Sequence, residues 1–174
     1  MARKPTTMNL CPILTKILLG LTLIVTTFTF AQAQTGWVDY KIDDKLSVKL
    51  PGQPEITGKG VTAHTKDSLS CFVYKIVEID SSALAKAISS PGFLDGLKGA
   101  MASSQTGLSL GEMKAAKWNG YNRYSVDGTN PSMKLKASFV FLIVGGRIYA
   151  LGAMMPESHD INEKNIFFNT LKLN

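Results

Sequence analysis

Apolar and polar residues alternate along much of the chain with a period of two, which is typical of β-strands. The clearest example is residues 134–156, where an apolar strand lies on each side of Gly145-Gly146. Two adjacent glycines can adopt the positive φ angles of a tight hairpin loop. The facing pairs are then Ile143–Ile148, Phe141–Ala150 and Phe139–Gly152. Because the strands become apolar on both faces, we expect this hairpin to lie in the core with both faces covered.

The same alternation predicts two more hairpins. Around Asp43-Asp44, a three-residue loop places apolar residues opposite one another, and a two-residue loop would not. The pairs expected there are Val38–Leu50, Tyr40–Val48 and Ile42–Leu46. Asn119-Gly120 suits a type I′ turn, and it pairs Ala115 with Tyr124 and Met113 with Val126. Residues 108–155 are therefore predicted to form an antiparallel meander of four strands.

The remaining segments predict further strands and helices. Residues 55–65 form a weak strand, at an edge or with a bulge, because Gly58 and Gly60 lower its propensity. Residues 69–79 are rich in β-formers and predict a central strand. Helices are expected after the capping residues Asp80, Ser81 and Ser82, again from Phe93 beyond the break at Pro91-Gly92, and finally from 158–160 with Ile161, Phe167, Phe168 and Leu171 on the apolar side.

The first 33 residues resemble a secretory signal peptide. Arg3 and Lys4 precede an apolar run, and small residues follow it at Ala31 and Ala33. We expect cleavage after Ala33 and export to the periplasm or the medium. The alternative is a retained membrane anchor, but the run is short and rich in threonine. Cys11 precedes the apolar run, so it does not fit a lipoprotein signal.

Removal of residues 1–33 leaves 141 residues, enough for one domain with its own core. The net charge then falls from +6 to +3, because 16 basic residues face 13 acidic ones. This balance, without a Lys/Arg run, does not indicate a nucleic-acid partner. Cys71 is the single cysteine that remains, so no intramolecular disulfide can form.

Cys71 with His64 or His159 could form a thiol nucleophile and its base. Cys71 lies within an apolar strand, however, where a cysteine behaves as a small hydrophobic residue, so we interpret it as inert. Asp39, Asp43 and Asp44 could hold calcium weakly, but they lack the spacing of an EF-hand and are interpreted as solvated turn residues. No catalytic residue, metal site or cofactor is predicted.

Lys114, Arg123, Lys134 and Lys136 lie on successive strands of the meander and could form a basic patch. Such a patch would suit an acidic partner or lipid headgroups, although separate surface lysines also serve solubility. Met154 and Met155 could line a pliable apolar site, or they could fill the core.

The order of elements resembles the PsbP-like α/β/α superfamily, particularly its small exported bacterial members of unassigned function. The segments that carry the resemblance are residues 46–54, the hairpin at 118–124, residues 147–151 and residues 167–171. The resemblance implies an α+β fold in which a twisted antiparallel sheet of about seven or eight strands has helices on both faces. It also implies a binding or assembly role.

The sequence therefore predicts a signal peptide at 1–33 and a single PsbP-like domain at 34–174. We expect an exported, non-catalytic binding or assembly domain of the cell envelope, with an unknown protein or envelope component as its partner. One alternative is a carrier of a small apolar ligand. Another is a hydrolase that uses Asp, Glu or His.

Overall fold

The computed structural model describes residues 36–58, 60–65, 69–78, 80–104, 107–159 and 162–174. The predicted signal peptide and its cleavage site lie outside these ranges, as do Asp160 and Ile161 of the predicted last helix. Among the described residues, no helix has both the length and the apolar character needed to cross a bilayer.

Strands dominate the described part of the chain. They are β1 (Trp37–Lys41), β2 (Leu46–Pro51), β3 (Glu55–Thr57), β4 (Gly60–His64), β5 (Ser70–Glu78), β6 (Ser109–Leu110), β7 (Lys114–Trp118), β8 (Tyr121–Asn130), β9 (Leu135–Val144), β10 (Arg147–Pro156) and β11 (Lys172–Leu173). The helices are α1 (Ser81–Ile88), α2 (Phe93–Ser104) and α3 (Asn162–Asn169).

An eight-stranded antiparallel sheet forms the centre of the fold. Its strand order is β3-β4-β5-β10-β9-β8-β6, and β7 also pairs with β8. The predicted meander is confirmed, because β7 or β6, β8, β9 and β10 are successive neighbours. The predicted α+β class and the central place of β5 are confirmed as well.

Turn chemistry sets the register of the three predicted hairpins. Gly145 and Gly146 have φ angles of 54° and 81°, and Phe141 faces Ala150 as predicted. Asn119 and Gly120 have φ angles of 48° and 83°. The remaining predicted pairs that form are Ile143–Ile148, Phe139–Gly152, Val38–Leu50, Tyr40–Val48 and Ala115–Tyr124.

Two predicted strands are interrupted. The strand expected at 108–118 is divided into β6 and β7, because the Gly111 amide donates a hydrogen bond to the Asp127 carbonyl at 2.8 Å and shifts the register by one residue. The predicted pair of Met113 with Val126 is therefore wrong. The strand expected at 55–65 is two strands, β3 and β4, since the chain reverses at Gly58, where φ is 57°.

Each face of the main sheet is covered by a different layer. On one face, α1 and α2 pack through Leu84, Leu97 and Met101 against aromatic residues of the sheet. On the other face, α3 packs together with a second, three-stranded sheet of order β1-β2-β11. The sequence predicts helices on both faces, but it does not predict the second sheet.

Candidate ligand-binding groove

The second sheet and α3 leave part of their face of the main sheet open. This part holds a groove of about 450 Å³ between α3 and the strands β6, β8, β9 and β10. Its lining residues are Ser109, Leu110, Gly111, Asp127, Gly128, Thr129, Lys136, Ala137, Ser138, Met155 and Lys164. We refer to this feature as the groove.

A glycine brings β6 close to β8 at the edge of the groove. A Cβ atom at Gly128 would lie 2.8 Å from Leu110 Cδ2 and 2.8 Å from the Ser109 carbonyl oxygen. A side chain at this position would therefore push β6 away. The close pairing places the Ser109 and Leu110 side of the groove opposite α3.

A lysine, a serine and an aspartate meet along one wall. Lys164 Nζ donates to Ser138 Oγ at 3.0 Å and lies 3.5 Å from Asp127 Oδ1. The Ser138 hydroxyl donates to the same Asp127 oxygen. Ser138 is buried, whereas the Asp127 side chain is 76% exposed. The wall therefore carries a neutralised ion pair that is anchored to the sheet by a buried hydroxyl.

This arrangement brings a serine beside a lysine, as some hydrolases do. A lysine that acts as a base must be neutral, but Lys164 is a cation in an ion pair with Asp127. The Ser138 proton, moreover, is already donated to a carboxylate. The geometry thus suits binding better than nucleophilic attack. Sequence reasoning did not find this cluster, and its one signal is the polar Ser138 on the buried part of the otherwise apolar strand β9.

Lys136 is the second cation of the groove. Its strand position lies directly opposite Thr129 of β8, so the two side chains are on the same face. Within the described ranges, no acidic group lies within the 4.0 Å ion-pair distance of Lys136. Lys136 is half-buried, in contrast to the exposed Lys114. The groove therefore contains one cation whose charge is not compensated.

Three of the four residues of the predicted basic patch share this face. Lys136 faces Met155 across the ladder, Arg123 faces Leu142, and Lys114 is joined through Ser125 to Val140. Met155, Leu142 and Val140 all belong to the core under α3 and the second sheet. We call Lys114, Arg123 and Lys136 the basic face. The fourth residue, Lys134, lies in the turn before β9 with φ of 51°.

The basic face is elongated. Arg123 pairs with Leu142, which lies six positions along β9 from Lys136. At about 3.4 Å for each residue of an antiparallel strand, the two cations are separated by about 20 Å along the sheet. The groove occupies the Lys136 end of this surface.

The predicted thiol site does not assemble with His64. Cys71 is fully buried under α3, whereas His64 lies with Ser70 on the opposite face and contacts its hydroxyl at 2.9 Å. His159 pairs with Glu163 at 3.1 Å. Burial, with a smaller effect of the Glu163 carboxylate, raises the pKa of the Cys71 thiol well above its ordinary value. A nucleophilic cysteine needs the opposite shift.

The three aspartates of the first hairpin have separate partners. Asp39 lies 3.6 Å from Lys172, and Asp44 pairs with Arg147. The prediction that all three are solvated is wrong for Asp43, whose side chain is 12% exposed. Across the described ranges, no group of three potential metal ligands converges.

Asp43 instead joins the first hairpin to β10. Its Oδ1 atom accepts hydrogen bonds from the Lys45 and Leu46 amides at 2.8 and 3.2 Å. Its Oδ2 atom accepts from the Tyr149 hydroxyl at 2.8 Å and from Arg147 at 3.1 Å. Burial and the bond to Asp43 raise the pKa of the Tyr149 hydroxyl.

Met154 and Met155 belong to different cores. Met154 packs with the residues under α1 and α2, and Met155 packs with those under α3. Both side chains are buried, as expected of core methionines. The two residues therefore cannot line one apolar site together, and only Met155 of the pair borders the groove.

No protein-family model and no curated protein matches the sequence. Among solved structures, PsbP from the cyanobacterium Synechocystis sp. PCC 6803 aligns with 87% of this chain and 99% of its own, at a TM-score of 0.53 and 13% identity. A Bacteroides thetaiotaomicron protein gives a TM-score of 0.45 at 9% identity, over 74% of this chain and 45% of its own. A Pseudomonas aeruginosa protein of unknown function gives 0.41 at 13% identity, over 74% and 88%. The fold is therefore PsbP-like, in agreement with the resemblance seen in the sequence.

Proposed function

We propose that this protein is an exported, non-catalytic binding domain of the cell envelope, and that its partner, a protein or another envelope component, contacts the basic face. The observation that carries the proposal is the open half of the main sheet. Within the described ranges, none of Lys114, Arg123 and Lys136 has an acidic group within 4.0 Å. Three uncompensated cations on one uncovered face favour contact with an acidic partner surface.

The absence of a catalytic role is supported by the state of the reactive side chains. The Cys71 thiol is buried with a raised pKa, and the Ser138 hydroxyl is bonded to Asp127. Both groups are poor nucleophiles in these environments. A PsbP-like fold can carry many functions, so these side chains support the proposal and the fold alone does not.

Export is proposed from residues 1–33, and it has its own test. The protein should be purified from its native host and its intact mass measured. Cleavage after Ala33 gives a mature chain that begins at Gln34, in the periplasm or the medium. A full-length chain in the membrane fraction would show instead that the signal is retained as an anchor.

The binding proposal is tested by site-specific photocrosslinking in intact cells. Ala116 is exposed and lies directly opposite Arg123 on the basic face, so a crosslinking amino acid there preserves every cation. Lys86 of α1 is an exposed control on the other side of the main sheet. We expect one reproducible adduct from position 116, none from position 86, and loss of the adduct in Arg123→Glu.

Equal adducts from positions 116 and 86 would contradict a partner on the basic face. An adduct that persists unchanged in Arg123→Glu would contradict the role of charge. No adduct from either position, under several growth conditions, would overturn the binding function itself.

A second function, carriage of a small ligand, is favoured by the groove. Its volume of about 450 Å³ lies within the range of roughly 300–1,000 Å³ that is usual for small-molecule sites. The sequence suggested an apolar ligand, but the groove carries two lysines and an aspartate among its lining residues. A ligand would therefore need a polar group.

A further inference from the structure

We infer that the groove is a binding site for a small monocarboxylate, whose carboxylate contacts Lys136 and whose apolar part lies along Leu110, Ala137 and Met155. This inference rests on the proposed binding function, because it names a ligand class for part of the same surface. It gives Lys136 a role that differs from that of the other two cations of the basic face.

The charges of the groove select the charge of the ligand. The ionisable lining residues are Lys136, Lys164 and Asp127, so the groove carries one net positive charge. Lys164 and Asp127 compensate each other at 3.5 Å, which leaves the charge on Lys136. A single carboxylate neutralises this charge. A phosphate dianion would exceed it and would be repelled by the open oxygen of Asp127.

The hydrogen-bonding groups beside Lys136 suit a carboxylate. Thr129 lies directly opposite Lys136, where facing Cβ atoms in an antiparallel pair are about 5 Å apart. An ammonium and a hydroxyl at this separation can each donate to one oxygen of the same carboxylate. Ser138 cannot serve in this way, because its hydroxyl already donates to Asp127.

The rest of the lining determines what the carboxylate is attached to. Leu110, Ala137 and Met155 present apolar surface, and the backbone of Gly111 and Gly128 adds no side chain. Burial of an alkyl group against this surface is favourable by about 0.8 kcal/mol for each methylene that is removed from water. A carboxylate with an alkyl chain should therefore bind better than acetate.

Lys136 could instead be a solubility residue. A lysine with that role is expected to extend into solvent, as the exposed Lys114 of the same face does. Lys136 is half-buried within a concave site and has no acidic neighbour within ion-pair distance in the described part of the chain. This contrast makes Lys114 the matched control for Lys136.

The inference is tested on the mature chain by calorimetry and by amide chemical-shift changes in NMR. The probes are hexanoate, acetate, hexylamine and inorganic phosphate. We expect saturable binding of hexanoate with shifts confined to β6, β8 and β9, weaker binding of acetate, and no binding of hexylamine. Lys136→Gln should weaken hexanoate binding by about tenfold or more, whereas Lys114→Gln should leave it unchanged.

Thermal unfolding of each variant shows whether it remains folded. If Lys136→Gln does not fold, Lys136→Arg retains the positive charge and should retain hexanoate binding, and Thr129→Val should weaken it. Hexanoate binding that is equal in Lys136→Gln and the parent chain would overturn the inference. So would absence of hexanoate binding, or phosphate binding that is tighter than hexanoate binding.

The two proposals fail in different ways. If hexanoate does not bind but position 116 still captures a partner, the carboxylate site is wrong and the binding function stands. If hexanoate binds through Lys136 but position 116 captures nothing, the envelope partner is wrong and the groove is a small-molecule site.

Discussion

At the scale of single residues, Gly152 shows why two aromatic rings can meet on the helix-covered face of the sheet. It faces Phe139 on one neighbouring strand and Phe72 on the other. A Cβ atom at Gly152 would lie 1.9 Å from Phe72 Cζ, and the two rings have centroids 5.9 Å apart. Both rings therefore occupy space that a side chain at Gly152 would take.

We expect Gly152→Ala to lower the free energy of unfolding by about 1–3 kcal/mol, because overpacking forces the Phe72 ring to move. Urea unfolding measures the effect. The control is Gly99→Ala in α2, where nothing lies within 4 Å of the added Cβ atom. That change should stabilise the protein by about 0.5–1 kcal/mol. Equal effects of the two substitutions would contradict overpacking as the cause.

Asp43 makes the stability of the fold depend on pH. Burial alone would raise the pKa of this carboxyl, but hydrogen bonds from the Lys45 amide and the Tyr149 hydroxyl, with others from Leu46 and Arg147, outweigh burial and lower it. A lowered pKa in the folded state means that the contribution is complete above the ordinary carboxyl pKa of about 4 and is lost as the pH falls below it.

Asp43→Asn should therefore destabilise the protein by about 1–3 kcal/mol at neutral pH, since Arg147 and Tyr149 lose a charged partner. The difference between variant and parent should shrink as the pH falls below about 4. Thermal unfolding across this range checks both expectations. Asp44→Asn, at an exposed position, should change stability little at any pH. A deficit of Asp43→Asn that stays constant as the pH falls well below about 4 would show that the charge is not responsible.

At the scale of elements, the Asn119-Gly120 turn determines how β7 pairs with β8. Gly120 has φ of 83°, which costs an alanine about 1–2 kcal/mol, and no atom lies within 4 Å of the added Cβ. Gly120→Ala should therefore weaken the hairpin through backbone strain alone. Gly120→Asn should cost less, because asparagine tolerates this conformation. Amide exchange at Trp118 and Tyr121 measures hairpin opening, and equal exchange in the two variants would exclude strain as the cause.

Turn dipeptides explain why the register of three hairpins could be predicted. Gly145-Gly146 and Asn119-Gly120 are local signals, and each strand next to them has a fixed apolar face. The break between β6 and β7 could not be predicted, because the hydrogen bond from Gly111 to Asp127 forms only once β8 is in place. The pairing of β11 with β2 joins residues near the two ends of the described chain, which periodicity does not address.

The candidate site was partly predictable for the same reason. Strand alternation and the predicted meander placed Lys114, Arg123 and Lys136 on neighbouring strands. Lys164 is brought to Ser138 only by the docking of α3, and the sequence pattern of α3 does not say where along the sheet it packs. The groove depends on that docking, so no local signal could reveal it.

At the scale of the whole molecule, the main sheet separates two cores, and stability requires both to be dry. Phe141 is 1% exposed and lies between Tyr124 and Ala150 on the side covered by α1 and α2. A carboxylate at this position would have no partner. An unpaired buried charge costs several kcal/mol, against a total stability of roughly 5–15 kcal/mol for a domain.

We therefore expect Phe141→Asp to abolish the cooperative thermal transition at neutral pH. Ile56→Asp is the matched control, because it adds the same charge to the same sheet at an edge position that is 78% exposed. It should leave the transition within a few degrees of the parent chain, since surface changes usually stay within about 0.5 kcal/mol. An unchanged transition in Phe141→Asp would mean that α1 and α2 do not seal this face of the sheet. The two-core architecture would then be wrong, even with the strand order intact.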